Sequence, residues 1–279
     1  MTRKLNRMAN NIEKLFCVVL VIFLLATKLE LVNSQKTVSF SISDFKSNTS
    51  TLILQGTAHI LPSGALELTD PNSPSLSQIG RALYTTPIPI WDSATGNVAS
   101  FITTFSFIIE NVGTDVLSSG FVFFLAPPDT KIPENSGGHM LGVVDSTKAI
   151  NQFVGVEFDT YFSSDPWDPN YVHVGIDVNT VFSLKHTKWD RVSQALVEVT
   201  IIYDSQLQTL SVILKDSTGQ FLTVAQVVDL RYVLPETVRI GFSNTLTRVI
   251  QRLTIHSWSF RSTLKTTISN TNSENVSSY

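Results

Sequence analysis

Residues 154–173 read VGVEFDTYFSSDPWDPNYVH, and the first part of that stretch alternates as a strand does. Val154, Val156, Phe158 and Thr160 take one parity, and Gly155, Glu157, Asp159 and Tyr161 the other. That is the period of a pleated strand with one apolar face. Alternate side chains share a face, so Glu157 and Asp159 project together while their apolar neighbours turn to the core. Two carboxylates so placed repel unless a proton, a basic side chain or a cation compensates them. The nearest charged or imidazole residues that follow are Asp165, Asp168 and His173, with no Lys or Arg before Lys185. Singly, Glu157, Asp159 and His173 read more readily as residues of a solvated strand edge and surface; the set in this order points to metal ligation. Carboxylates with one imidazole suit a transition ion such as manganese, whereas carboxylates with carbonyl, amide or hydroxyl oxygens suit calcium.

Outward from this stretch the chain is a succession of short strand signals. TVSFSI at 37–42, FITTFSFII at 101–109, GFVFFLA at 120–126 and further segments at 82–86, 153–160, 172–178, 196–203, 209–214, 221–228, 238–242 and 254–260 are rich in Phe, Val, Ile and Thr. Asp70-Pro71, Pro127-Pro128, Gly137-Gly138, Asp216-Ser217 and Leu234-Pro235 break them apart. Apart from the N-terminal run, no helical period persists beyond a turn or two. The expected fold is all-β, an antiparallel two-sheet sandwich. Trp-Asp dipeptides at Trp91, Trp167 and Trp189 invite a propeller reading, but nothing else recurs with them.

Residues 1–11 are polar and basic, and residues 15–26, LFCVVLVIFLLA, form an unbroken apolar run. A basic flank, an apolar core shorter than the roughly 20 residues a spanning helix needs, and small residues near Ser34 read as a secretory signal peptide over 1–34. Five of the 20 basic and two of the 23 acidic residues lie in it, leaving 15 against 21, a formal charge of −6. An acidic balance of that size argues against nucleic acid or an anionic membrane as partner. The single cysteine, Cys17, also lies in the leader. A disulfide is therefore not expected in the mature chain, and a large apolar core must stabilise it. Asn48 and Asn275 each open an Asn-X-Ser/Thr triplet that a secreted chain could carry glycosylated. The segment 263–279 is rich in Ser, Thr and Asn and reads as a polar, disordered tail after a domain over 35–262.

VEFDTY, the WDP turn and HVGIDVNTVFS resemble the metal-binding segment of the legume lectins, and the resemblance extends through TVSFSISDF, ITTFSFII, SGFVFFLAPPDT, SGGHMLGVVD and IHSWSF. It implies a jelly-roll sandwich with a flat back sheet and a curved front sheet, calcium and manganese at the top of the front sheet, and a homodimer or homotetramer formed through back sheets. Position by position, Glu157 resembles the manganese-only carboxylate, and Asp159 and Asp168 the two aspartates that bridge both ions. His173 matches the manganese imidazole, Tyr161 the residue that lends its carbonyl to calcium, and Ser183 the serine that holds a manganese-bound water. For the sugar, the family's backbone donor falls on Gly138 and its stacking ring on Tyr161.

Two positions depart from that pattern. Ser163 stands where the family has an asparagine that binds calcium and donates to the sugar, and Ser119 where it has a carboxylate accepting from two sugar hydroxyls. Hydrogen bonds to charged groups contribute about 1.5–3 kcal/mol against about 1 for neutral ones, so the serine at 119 weakens a monosaccharide site. The specificity loop near 244–252, NTLTRVIQR, is shorter than usual and lacks its customary Thr-Gly. The expected function is a secreted, metal-dependent carbohydrate-binding protein. Its alternative is a lectin-like storage, defence, symbiosis or signalling protein that has lost classical monosaccharide binding. A glycosidase using Glu157 and Asp159 needs carboxylates about 5–10 Å apart across a substrate, and neighbouring same-face positions beside His173 fit metal ligation better.

Overall fold

Alternating β-branched and aromatic residues become strands throughout the computed structural model, which describes residues 32–73, 75, 77–112, 120–148, 151–161, 168–247 and 251–268. The strands are β1 (Val32–Ile42), β2 (Leu52–Gly56), β3 (His59–Ile60), β4 (Leu66–Glu67), β5 (Ser77–Tyr84), β6 (Ile88–Pro89), β7 (Ser100–Asn111) and β8 (Phe121–Ala126). They continue with β9 (Val154–Asp159), β10 (His173–Val178), β11 (Lys185–Lys188), β12 (Leu196–Asp204), β13 (Thr209–Asp216), β14 (Phe221–Val227), β15 (Thr237–Thr247) and β16 (Gln251–Ile268). Helix among the described residues is limited to the short 3-10 segments Lys46–Thr51, Gly138–Met140 and Leu230–Tyr232.

The strands form two eight-stranded sheets. One has the order β14-β13-β12-β7-β16-β4-β3 with β1 also on β16; the other has the order β11-β10-β9-β8-β15-β5-β2 with β6 on β15. The ladders that position the site, β8–β9, β9–β10 and β8–β15, are antiparallel. The architecture is the antiparallel two-sheet sandwich expected from the alternation and the jelly roll that the resemblance implies, and its compact unit spans Gln35–Lys265.

β8 shows why an unbroken apolar run is still a strand. Phe121, Phe123 and Leu125 enter the main core between the sheets, while Val122, Phe124 and Ala126 join a second cluster with Leu141, Val143, Val144, Phe153 and Val181 on the opposite face. Both faces are covered, so both parities are apolar. Within the main core Phe105 has ring neighbours Phe121, Phe123, Phe158 and Phe242 at 5.0–6.5 Å. Each such side chain contributes about 1.5–3 kcal/mol by burial.

Two boundaries differ from the sequence expectation. β16 continues through Ile268, six residues into the segment read as tail, because Leu264 and Thr266 bury alternate positions of the extended strand. Residues 244–247 are the end of β15 and Gln251 begins β16, so the ends of two strands belonging to different sheets occupy most of the region read as a specificity loop.

Candidate metal and saccharide site

β9 places Val154, Val156 and Phe158 in the main core and turns Gly155, Glu157 and Asp159 to the other face. Its register with β10 sets His173 opposite Asp159 and Gly175 opposite Glu157. One ligand atom each from Glu157, Asp159 and His173 lie within 4.8 Å of one another, and all three residues are buried. His173 Nε2 is 3.0 Å from Glu157 Oε1, while its Nδ1 lies 3.1 Å from the Tyr171 carbonyl. With Nδ1–H donating to that carbonyl, Nε2 is the nitrogen presented to the carboxylates, the usual orientation of a metal-ligating imidazole.

Asp177, read in sequence only as part of a strand, joins the cluster. It occupies the face of β10 that carries His173 and Gly175 and is fully buried. Ser183 Oγ reaches Asp177 Oδ1 at 2.8 Å and also contacts Glu157 Oε1 directly. Asp177 Oδ2 is buried without a hydrogen bond. Period-2 reasoning applied to HVGIDV, as it was to VEFD, would have found this residue.

The electrostatics fit a cation. Burial, and then the charge of Glu157, push the Asp159 and Asp177 carboxyls well above the usual range. The charge of Asp168 raises Asp159 further. Burial lowers the His173 imidazole, but the hydrogen bond and charge of Glu157 outweigh it and raise it to about 9. Buried negative charge of this density is compensated here only by a proton or the imidazolium. A divalent ion would replace both, with the carboxylates and imidazole suited to manganese and the carboxylates with the Tyr161 carbonyl suited to calcium. The Tyr161 N–H donates to Asp159 Oδ1 at 2.7 Å, tying that backbone to the cluster.

Of the residues to which the resemblance assigns saccharide contacts, Gly138 and Tyr161 are described. Gly138 opens the 3-10 turn Gly138–Met140 at φ +62, and Leu141 closes it at φ +52. Thr245 Oγ1 donates to the Gly138 carbonyl and Ser243 Oγ to the Leu141 carbonyl, both at 2.6 Å. Asn244, on the opposite face of β15, accepts from Thr69 Oγ1 at 2.7 Å and donates to the Gly120 carbonyl at 2.9 Å. The end of β15 thereby holds three loops, a role not apparent from NTLTRVIQR alone. The Tyr161 ring lies 4.6 Å from the His139 ring at 59°. Ser119 and Ser163 lie outside the described residues, as does Asn275. Asn48 sits in the 3-10 segment Lys46–Thr51, where its Nδ2 donates to the Asp44 carbonyl at 2.8 Å.

A two-sheet jelly roll with a buried carboxylate–imidazole cluster and a glycine-led turn held by the end of β15 has the fold of a lectin. The legume lectin domain matches residues 37–277, and the chain belongs to the legume lectin family. It is 48% identical over 257 residues to a galactose-binding lectin of Arachis hypogaea, covering 91% of this chain and 93% of that one. It is 47% identical over 263 residues to a non-seed lectin of Pisum sativum, covering 92% and 96%. The solved peanut lectin with a 9mer peptide superposes with TM-score 0.78 at 48% identity, covering 83% of this chain and 99% of that one.

Proposed function

We propose that the protein is a secreted carbohydrate-binding lectin whose calcium and manganese ions order a shallow saccharide site. The observation that carries this reading is the convergence of Glu157, Asp159 and His173 within 4.8 Å in a buried setting, in a family whose relatives are lectins. Glu157, Asp159, Asp168 and His173 would hold the ions with the Tyr161 carbonyl, and Ser183 would position the Glu157 carboxylate or a bound water. When bound, the ions neutralise the carboxylates and fix the backbone that bears Tyr161. The chain's own residues then present the Gly138 amide as donor and the Tyr161 ring as stacking face to one saccharide. The leader over 1–34, glycosylation at Asn48 and Asn275, a homodimer or homotetramer, and the absence of catalysis belong to the same reading.

A glycan array run with and without added calcium and manganese, paired with elemental analysis, tests it. Glycan signal that appears only with the ions supports it, and bound ions without any glycan signal overturn it. The second reading, a fold that no longer binds simple sugars, is favoured by Ser119 and Ser163 in place of a carboxylate and an amide. It predicts the second result.

A further inference from the structure

The imidazole that faces the carboxylates is itself held from behind. His173 Nδ1 lies 3.1 Å from the Tyr171 carbonyl. Tyr171 precedes β10, whose paired residues begin at His173, so that carbonyl is placed by a turn rather than by a ladder. Two bonds steady the backbone of the turn: the Tyr171 N–H donates to the Pro169 carbonyl at 2.7 Å, and the Trp189 N–H to the Val172 carbonyl at 2.9 Å. A third contact holds the Tyr171 side chain, whose hydroxyl is 3.2 Å from His186 Nδ1.

The register of β11 brings His186 there. His186 stands opposite Gly175 and Lys188 opposite His173, which makes His186 the diagonal neighbour of His173 on the same face. Its ring lies 5.5 Å from the His173 ring at 67° and 5.9 Å from the Tyr171 ring at 58°. The Tyr171 and His173 rings are themselves 6.3 Å apart at 85°. The three rings therefore form a bracket on the β11 side of the cluster.

His186 is not in the convergent group of Glu157, Asp159 and His173, so its part in the bracket is not ligation. A metal-ligating imidazole needs its second nitrogen held, and loss of such an outer partner typically weakens metal binding 10–100-fold. A carbonyl in a turn can orient a ring only as well as the turn is fixed. Here the fixing group sits on β11, inside a ladder. We propose that Tyr171 and His186 are positioning residues for His173: His186 holds the Tyr171 side chain, and the Tyr171 carbonyl so placed holds His173 Nδ1–H and turns Nε2 to the carboxylates. The consequence for metal affinity rests on the reading under Proposed function; the orientation of His173 does not.

Tyr171→Phe and His186→Ala remove the contact, whereas His186→Asn keeps a polar atom near the place of Nδ1. In the chelated full-length protein, proton–nitrogen NMR should show the His173 Nδ1 proton exchanging slowly in the parent and in His186→Asn. It should exchange about tenfold faster in Tyr171→Phe and His186→Ala. Manganese titration followed by electron paramagnetic resonance should show about tenfold weaker binding in the same two variants, recovered in His186→Asn. Exchange of the Nδ1 proton as in the parent in both variants would overturn the proposal, and so would acceleration that His186→Asn does not reverse, since a contact that merely stabilises the β11 edge predicts either. A parent that binds no manganese would defeat the metal-binding reading instead, with the exchange result still deciding this one.

Discussion

His173 Nε2 stands 3.0 Å from Glu157 Oε1 across the β9–β10 ladder, with both residues buried. Without a divalent ion, this contact and shared protons are what make the carboxylate cluster tolerable. With one, the same two atoms become ligands. On the proposed reading the cluster exchanges protons for a metal ion, and its behaviour with pH follows.

A carboxyl whose pKa is raised on folding contributes stability that is full below its unfolded value and is lost as pH rises through the folded one. Asp159 and Asp177 are both raised from 3.8, by burial first and then by Glu157. His173, raised from 6.5 to about 9, likewise loses its contribution as pH rises through about 9. Both slopes have the same sign, so the metal-free protein weakens with rising pH. Cation binding needs ionised carboxylates and neutral imidazole, so it strengthens over the same range. The Tm difference between loaded and chelated protein should widen from about pH 5 to about pH 8. Thermal unfolding at stepped pH measures it, and a difference that narrows would contradict the scheme.

Gly175 makes room for the cluster. A Cβ built there would lie 1.9 Å from Ser183 Oγ and 2.6 Å from Glu157 Oε1. Both obstructing atoms are ends of side chains, so Gly175→Ala should fold while displacing the carboxylate. The expected outcome is soluble protein with a native far-ultraviolet spectrum and at least about tenfold weaker manganese affinity. Isothermal titration with manganese checks it; unchanged affinity would mean that Glu157 takes no part in binding.

Asp177 offers a test whose two readouts move oppositely. Its buried carboxyl gains one hydrogen bond, from Ser183, and leaves Oδ2 without any. Asp177→Asn removes a poorly compensated buried acid, so the metal-free protein should gain about 1 kcal/mol or more. Metal affinity should fall about 10–100-fold, because negative charge and the orientation of Ser183 are lost. Denaturant unfolding and metal titration together decide; a loss in both would make Asp177 a purely structural residue.

Strand alternation made most of the fold legible. TVSFSI, FITTFSFII and the apolar run of β8 all became strands, because branched and aromatic side chains at alternate positions have few other ways to bury. β11, Lys-His-Thr-Lys, was not legible: it is a polar edge strand held by its ladder to β10 rather than by apolar burial. β2 was missed although its burial alternates, since LILQG is short and follows a turn. Glu157 and Asp159 are legible because charge repulsion within one strand is visible in sequence, and His173 because it is the imidazole that follows them with no Lys or Arg between. Asn244 is not, since its partners come from loops far off in the chain; Asp177 is, by the same alternation read along HVGIDV.

Asn244 provides the last prediction. Its buried amide joins Thr69 Oγ1 to the Gly120 carbonyl, and Gly120 is itself pressed against β9, where an added Cβ would lie 2.2 Å from the Phe158 carbonyl. Gly120 is therefore fixed from one side by β9 and from the other by Asn244. Asn244→Ala leaves a buried hydroxyl and a carbonyl without this partner, at a cost of about 1–3 kcal/mol. If the amide positions the loop as well as stabilising it, amide exchange at Gly120 and Phe121 should accelerate more than in the rest of β8. Asn244→Asp still accepts from Thr69 when ionised but places an acceptor, in place of a donor, against the Gly120 carbonyl, so it should not restore protection there. Hydrogen-exchange mass spectrometry resolves the two effects, and uniform acceleration along β8 would reduce Asn244 to a contributor to stability alone.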